Sequence, residues 1–179
     1  MVLDSCDQQT AIGHRDYAIL LLLARLGLRA GEVSSLSLND IDWQAGIITV
    51  HGKGNHLAQL PLPKDVGEAI VAYLQNGRPQ TTSRALFIRG RAPIRGFKNQ
   101  TSVSSVVEYA LNRAGIDSPH KGAHIFRHTL ATQMLRQGAS LPEIGDLLRH
   151  RSIEVTTIYA KVDLVSLRKL ALPWPGGAL

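Results

Sequence analysis

The chain has 179 residues, 44% hydrophobic and 19% charged, with a formal net charge of +6 and a pI near 9.8. That balance suits one globular domain and excludes a disordered or collagen-like chain, while its basic character favours a polyanionic partner, nucleic acid foremost. The single cysteine, Cys6, excludes an internal disulfide and a Cys-x-x-Cys metal site, and it fits a reducing, cytoplasmic setting.

In chain order, the polar and acidic start "MVLDSCDQQT" does not read as a secretory signal. The run "YAILLLLARLGL" is too short for a membrane span and reads as a buried helix over 15–27. Gly27 breaks it, and a short helix restarts near Gly31, so Arg29 falls on a helix-to-helix corner. "GIITV" (46–50) and "HLAQLPL" (56–62) pair as a β-hairpin around "HGKGNH", with Lys53 at its tip. Residues 64–76 read as a helix ending at Asn76-Gly77, and "RALFI" as a short extended piece. Val103, Val106, Val107, Ala110, Leu111 and Ala114 follow a 3.6-residue period until Gly115. A helix over 124–137 stops at Gly138, and Ser140 with Glu143 forms a capping box for the next, which has Pro142 in its first turn. That helix ends near Arg149-His150, "SIEVTTIYA" reads as a further short helix, and Leu164, Leu167 and Ala171 mark a last apolar stripe. The expected fold is mostly α with a small antiparallel β-sheet, an α+β chain in one domain over 1–179. Its lead-in is 1–13 and its tail 163–179.

"HIFRH" (124–128) places His124, Arg127 and His128 on one helix face. A zinc hydrolase would need HExxH, but Ile125 stands where the glutamate belongs and Arg127 would set a full positive charge beside the metal. No metal is expected. Arginine instead offers a planar fork of donors that matches phosphate oxygens, and a neighbouring histidine exchanges protons near neutral pH. His128 reads as structural. "GKGN" lacks the spacing of a P-loop and no GxGxxG follows a strand, so no nucleotide cofactor is expected.

Taken together, "GLRAGEVSSL", "GKGN", "HIFRHTLATQML" and "LLRHRSIEVTTIYAKVD" resemble the catalytic domain of tyrosine site-specific recombinases, the phage-integrase family, over about residues 14–163. Each motif is weak alone; the ordered set is specific. The resemblance implies site-specific DNA recombination or integration through a 3′-phosphotyrosyl link, independent of metal and ATP. It assigns Arg29 and Arg127 to phosphate and transition-state stabilisation, Lys53 to general acid, His124 to acid–base work and His150 to a phosphate contact. Tyr159 becomes the nucleophile and Glu32 the supporting acid of Arg29. Double-stranded DNA is the implied partner, bound by a homo-tetramer assembled from free monomers, with no membrane.

The residue types suit that chemistry on their own terms. A phosphodiester gains negative charge in its pentacoordinate transition state, and losing one donor aimed at such charge typically costs roughly 100- to 1000-fold in rate. A tyrosine hydroxyl, with a free pKa of about 10, attacks only with a basic neighbour or a strong positive field. The leaving 5′ oxygen needs a proton, which a hairpin lysine can deliver.

Three departures from the family pattern stand out. The N-terminal core-binding domain that closes a clamp around DNA is not part of this sequence, so weak DNA binding and little or no recombination are expected of this chain alone. Arg149 occupies the position before His150 where glycine is usual, and it either strains a tight turn or adds a phosphate contact. The apolar stripe after Tyr159 either packs on a neighbouring protomer or folds back on its own domain. The competing reading is a non-catalytic DNA-binding remnant or truncated regulator of the same fold. A type IB topoisomerase is a cousin with similar chemistry.

Overall fold

The computed structural model describes residues 2–52, 54, 56–118 and 122–149. The backbone divides into two compact units, Met1–Arg127 and His128–Leu179.

The first unit is built on α1 (Ala11–Leu26). Thr10 caps it, its Oγ1 accepting from the Gly13 amide at 3.0 Å. The helix therefore begins four residues before the start at 15 expected from the sequence, because a threonine cap rather than hydrophobicity sets its start. Ala18, Ile19, Leu20, Leu21, Leu22 and Leu23 are all at most 2% exposed. Each buried leucine contributes roughly 1.5–3 kcal/mol by leaving water, so this hexapeptide anchors the unit. Helices α3 (Lys64–Asn76) and α4 (Gln100–Arg113) pack against α1, and the short α2 (Ala30–Ser35) packs on α4. The lead-in is also docked. Cys6 is buried, and the Ser5 carbonyl accepts from Arg113 Nε at 3.1 Å.

The sheet has three antiparallel strands in sequence order, β1 (Ile41–Asp42), β2 (Ile47–His51) and β3 (Leu57–Pro61). The sequence reading gives β2 and β3 but misses β1, whose two residues are too few to show alternation. Ile48 and Val50 face the core, and the register pairs Ile48 with Leu60 and Val50 with Ala58. The Gly52 amide donates to the His56 carbonyl at 2.7 Å and so closes the hairpin. At the turn end of β2 His51 Nε2 lies 2.9 Å from Asp40 Oδ1. Residues 84–88 form isolated bridges, Ser37 with Ala85 and Ile88 with Gly96, but no regular strand. Arg78 holds this stretch by donating to the carbonyls of Ser83, Ala85 and Leu86.

Helix α5 (His124–Arg136) crosses from the first unit into the second. Within the second unit Ala131, Ile144 and Leu148 form a small core shared with α6 (Leu141–Leu148). The capping box at the start of α6 is formed as the sequence predicts, with Ser140 N donating to Glu143 Oε2 at 2.7 Å. The helices expected over 152–160 and 163–172 lie outside the described residues.

Among the described residues no helix is long and apolar enough to cross a membrane.

Candidate active site

Arg29 is the N-cap residue of α2, with extended backbone (φ −77°, ψ 151°). Glu32, one turn on, is only 4% exposed. Its carboxylate accepts from the Arg29 backbone amide at 2.8 Å and from Arg29 Nη1 at 2.8 Å. One buried acid thus satisfies an orphan helix-start amide and fixes the guanidinium. The Arg29 side chain nevertheless remains 46% exposed and can meet a ligand.

Arg127 reaches the same corner from another direction. It lies one turn into α5 and is 7% exposed. Its Nη1 donates to the Gly27 carbonyl at 2.6 Å. Gly27 is the left-handed C-cap of α1 (φ 55°, ψ 34°). That conformation suits glycine, since a Cβ there would crowd the next carbonyl. A helix C-terminus presents carbonyls without intrahelical partners and a partial negative charge, so a buried arginine settles there at low cost. Arg29 follows Gly27 by two residues, and this one contact brings the two arginines to one corner.

His124 is the first residue of α5 and is exposed. The N-terminus of a 13-residue helix adds partial positive charge to that of the arginines. A Cβ at 122 would sit 2.9 Å from His124 Nδ1, so a larger residue there would shift this exposed imidazole. His128 is exposed on α5 and, with Thr132 and Arg136, lines a polar surface pocket of about 410 Å³. Among the described residues no group of three or more His, Cys, Asp or Glu side chains could hold a metal ion.

Arg149 is the C-cap of α6 in the left-handed region (φ 54°, ψ 48°), the one non-glycine residue with positive φ among the described residues. The turn that glycine would make here is therefore made by arginine, with its Nη1 donating to the Leu147 carbonyl at 3.0 Å. Lys53, His150 and Tyr159 lie outside the described residues.

Gly27 is the residue that sequence reasoning undervalues. Gly27 shows there only as a helix stop, and its carbonyl becomes an arginine partner only when α5 folds against it.

The chain matches the sequence pattern of the phage integrase family over residues 2–164. The chain belongs to the phage integrase family. Among its relatives is y4rA of Sinorhizobium fredii, provisionally named an integrase/recombinase, 59% identical over 177 residues that cover 99% of this chain and 43% of that protein. The tyrosine recombinase XerC of Bacillus pumilus is 33% identical over 170 residues, covering 91% of this chain and 54% of its own length. The crystal structure of XerA recombinase superposes with a TM-score of 0.78 at 29% identity, over 94% of this chain and 60% of that one. The chain thus spans about half the length of these curated relatives, 43% and 54%. The helical architecture with a small antiparallel sheet is that of this integrase-family fold.

Proposed function

We propose that this chain carries the DNA-cleaving and rejoining chemistry of a site-specific tyrosine recombinase. The observation that carries the reading is the corner where Glu32 fixes Arg29 while Arg127 rests on the Gly27 carbonyl. Two guanidinium groups held on rigid elements near one corner support this reading, because each offers donors that match phosphate oxygens. Membership of the phage integrase family supplies the context.

In this reading Tyr159 Oη attacks the scissile phosphorus. A phosphorus–tyrosine oxygen bond forms, and the bond to the 5′ oxygen breaks. Lys53 gives its proton to that leaving oxygen. Arg29 and Arg127 meet the charge that develops on the non-bridging oxygens, as preorganised donors do. His124, at the positive end of α5, serves proton transfer, and His150 contacts the phosphate. A second 5′-hydroxyl then attacks the phosphotyrosyl link and releases Tyr159. The link conserves the phosphodiester's bond energy, so the cycle is driven by no ATP. The partner is double-stranded DNA, acted on in the cytoplasm by a homo-tetramer assembled from monomers.

Covalent capture tests this. The chain is incubated with nicked random-sequence duplexes beside Tyr159→Phe, and denaturant-resistant adducts are scored on gels. An adduct formed only by the unsubstituted chain is expected. If none forms even after a DNA-binding domain of the family is fused upstream, the chain is a non-catalytic DNA-binding remnant.

A further inference from the structure

The end of α1 away from the arginine corner holds a second basic site. Arg15 and Gly27 are twelve positions apart, which puts about 18 Å of helix between them at about 1.5 Å per residue. A cavity of about 450 Å³ opens there, lined by Arg15, Arg89, Arg91, Arg113, Phe97 and Tyr109 among others. Among the described residues Asp16 is its one acidic wall residue. The cavity therefore carries a net positive charge that the proposed DNA chemistry does not use.

This site is built rather than incidental. Arg15 is pinned by Asp16 Oδ1, at 3.0 Å from Nε and 2.8 Å from Nη2, and stacks over the Phe97 ring at 5.4 Å. Arg113 is held by the Ser5 carbonyl. The loop bearing Arg89 and Arg91 is tied by the Arg89 amide to the Arg95 carbonyl at 3.0 Å. Two of the four guanidinium groups, those of Arg15 and Arg113, are thus already held before a ligand binds, which lowers the entropic cost of binding. A neighbouring cavity of about 260 Å³ shares Ile12, Arg15, Arg89 and Gly90 with the first and adds the apolar Pro79, Ile88 and Ile94. Ile12 is 48%, Ile94 42% and Tyr109 62% exposed.

From a cationic cavity that adjoins a second one with an apolar wall, we infer that this face docks an acidic segment of a protein partner, one bearing carboxylates beside a bulky apolar side chain. Arginine and tyrosine around apolar pockets are the residues that dominate protein–protein contacts. A DNA duplex offers its phosphates on a convex rod and has no apolar side chain for the second cavity. This chain's own residues 160–179 are unsuited by charge, carrying Lys161, Arg168 and Lys169 against Asp163.

The test uses the full chain and a displayed random-peptide pool. Selection on the unsubstituted chain, with counter-selection on Arg89→Gln/Arg91→Gln, is expected to enrich peptides with clustered Asp or Glu next to Leu, Ile, Phe or Trp. By fluorescence anisotropy such a peptide should bind the double variant at least about ten-fold more weakly, the loss expected for charge-assisted contacts. Tyr109→Ala, which leaves the charge intact, should also weaken it, and far-UV circular dichroism should show both variants folded. The inference is overturned if no acidic consensus emerges, or if the peptide binds the variants as well as the parent chain. It is also overturned if a 20-base-pair duplex displaces the peptide and loses equal affinity in the double variant. None of these outcomes depends on whether Tyr159 cleaves DNA.

Discussion

Arg127 hands a 2.6 Å hydrogen bond to the carbonyl of Gly27, a residue exactly one hundred positions earlier and two before Arg29. The contact joins the N-terminal turn of α5 to the end of α1. It makes one arginine the support beneath the corner on which the other stands.

Arg127→Ala should therefore fail twice. The Gly27 carbonyl, buried in the structure, loses its donor, at a cost of about 1–3 kcal/mol readable by urea denaturation. Adduct formation should fall roughly 100- to 1000-fold, as when one transition-state donor is removed. Arg127→Lys keeps the charge but not the planar fork, so it should recover stability better than cleavage. Equal recovery of both would reduce Arg127 to a structural staple.

Glu32→Gln tests the aim of Arg29. The substitution keeps the shape of the buried side chain but removes its charge and turns one of its two acceptors into an N–H donor, so one bond to Arg29 is lost and the other weakened. A loss of about 1–2 kcal/mol in stability is expected, measured by chemical denaturation. Cleavage should fall more than DNA affinity, because Arg29 remains present but less fixed. Unchanged cleavage kinetics would show that Arg29 needs no such support.

Arg149→Gly addresses the left-handed cap of α6. Relief of positive-φ strain is worth about 1–2 kcal/mol for a residue with a Cβ, and losing the bond to Leu147 offsets part of it. A net gain of about 0.5–1 kcal/mol is expected, while Arg149→Ala, which keeps the strain and loses the bond, should destabilise. If glycine destabilises as much as alanine, the arginine side chain rather than the backbone matters here.

Two carboxyls make pH predictions of opposite sign. Hydrogen bonds from the Ser140 side chain and then its amide hold Glu143 below the usual glutamate range. The folded chain therefore releases this proton more readily than the unfolded one. Its contribution is full above the unfolded pKa and is lost as pH falls through the folded one. Burial raises Asp16, with Arg15 opposing it. Its contribution is present below the unfolded pKa and is lost as pH rises through the folded one. Side-chain carboxyl titration by NMR should place Asp16 above and Glu143 below their free-peptide counterparts; the reverse order would contradict both environments.

The sequence by itself determined the helices whose signals are local. Apolar periodicity marks α4, a Ser–Glu box marks α6, and a Gly-rich turn between β-branched runs marks the β2–β3 hairpin. The family resemblance implied Glu32 as the supporting acid of Arg29, one helical turn away, and the two side chains do pair. The two-residue β1 and the early start of α1 were not legible. One is too short to show a period, and the other depends on a cap. Only the tertiary structure decided that Arg127 rests on Gly27 and that four arginines from three chain segments converge beside Phe97 and Tyr109. Local hydrogen bonds and periodicity act over a turn or two of chain, so the sequence carries them openly. Contacts across about a hundred residues exist only once the buried leucines of α1 have drawn those segments together.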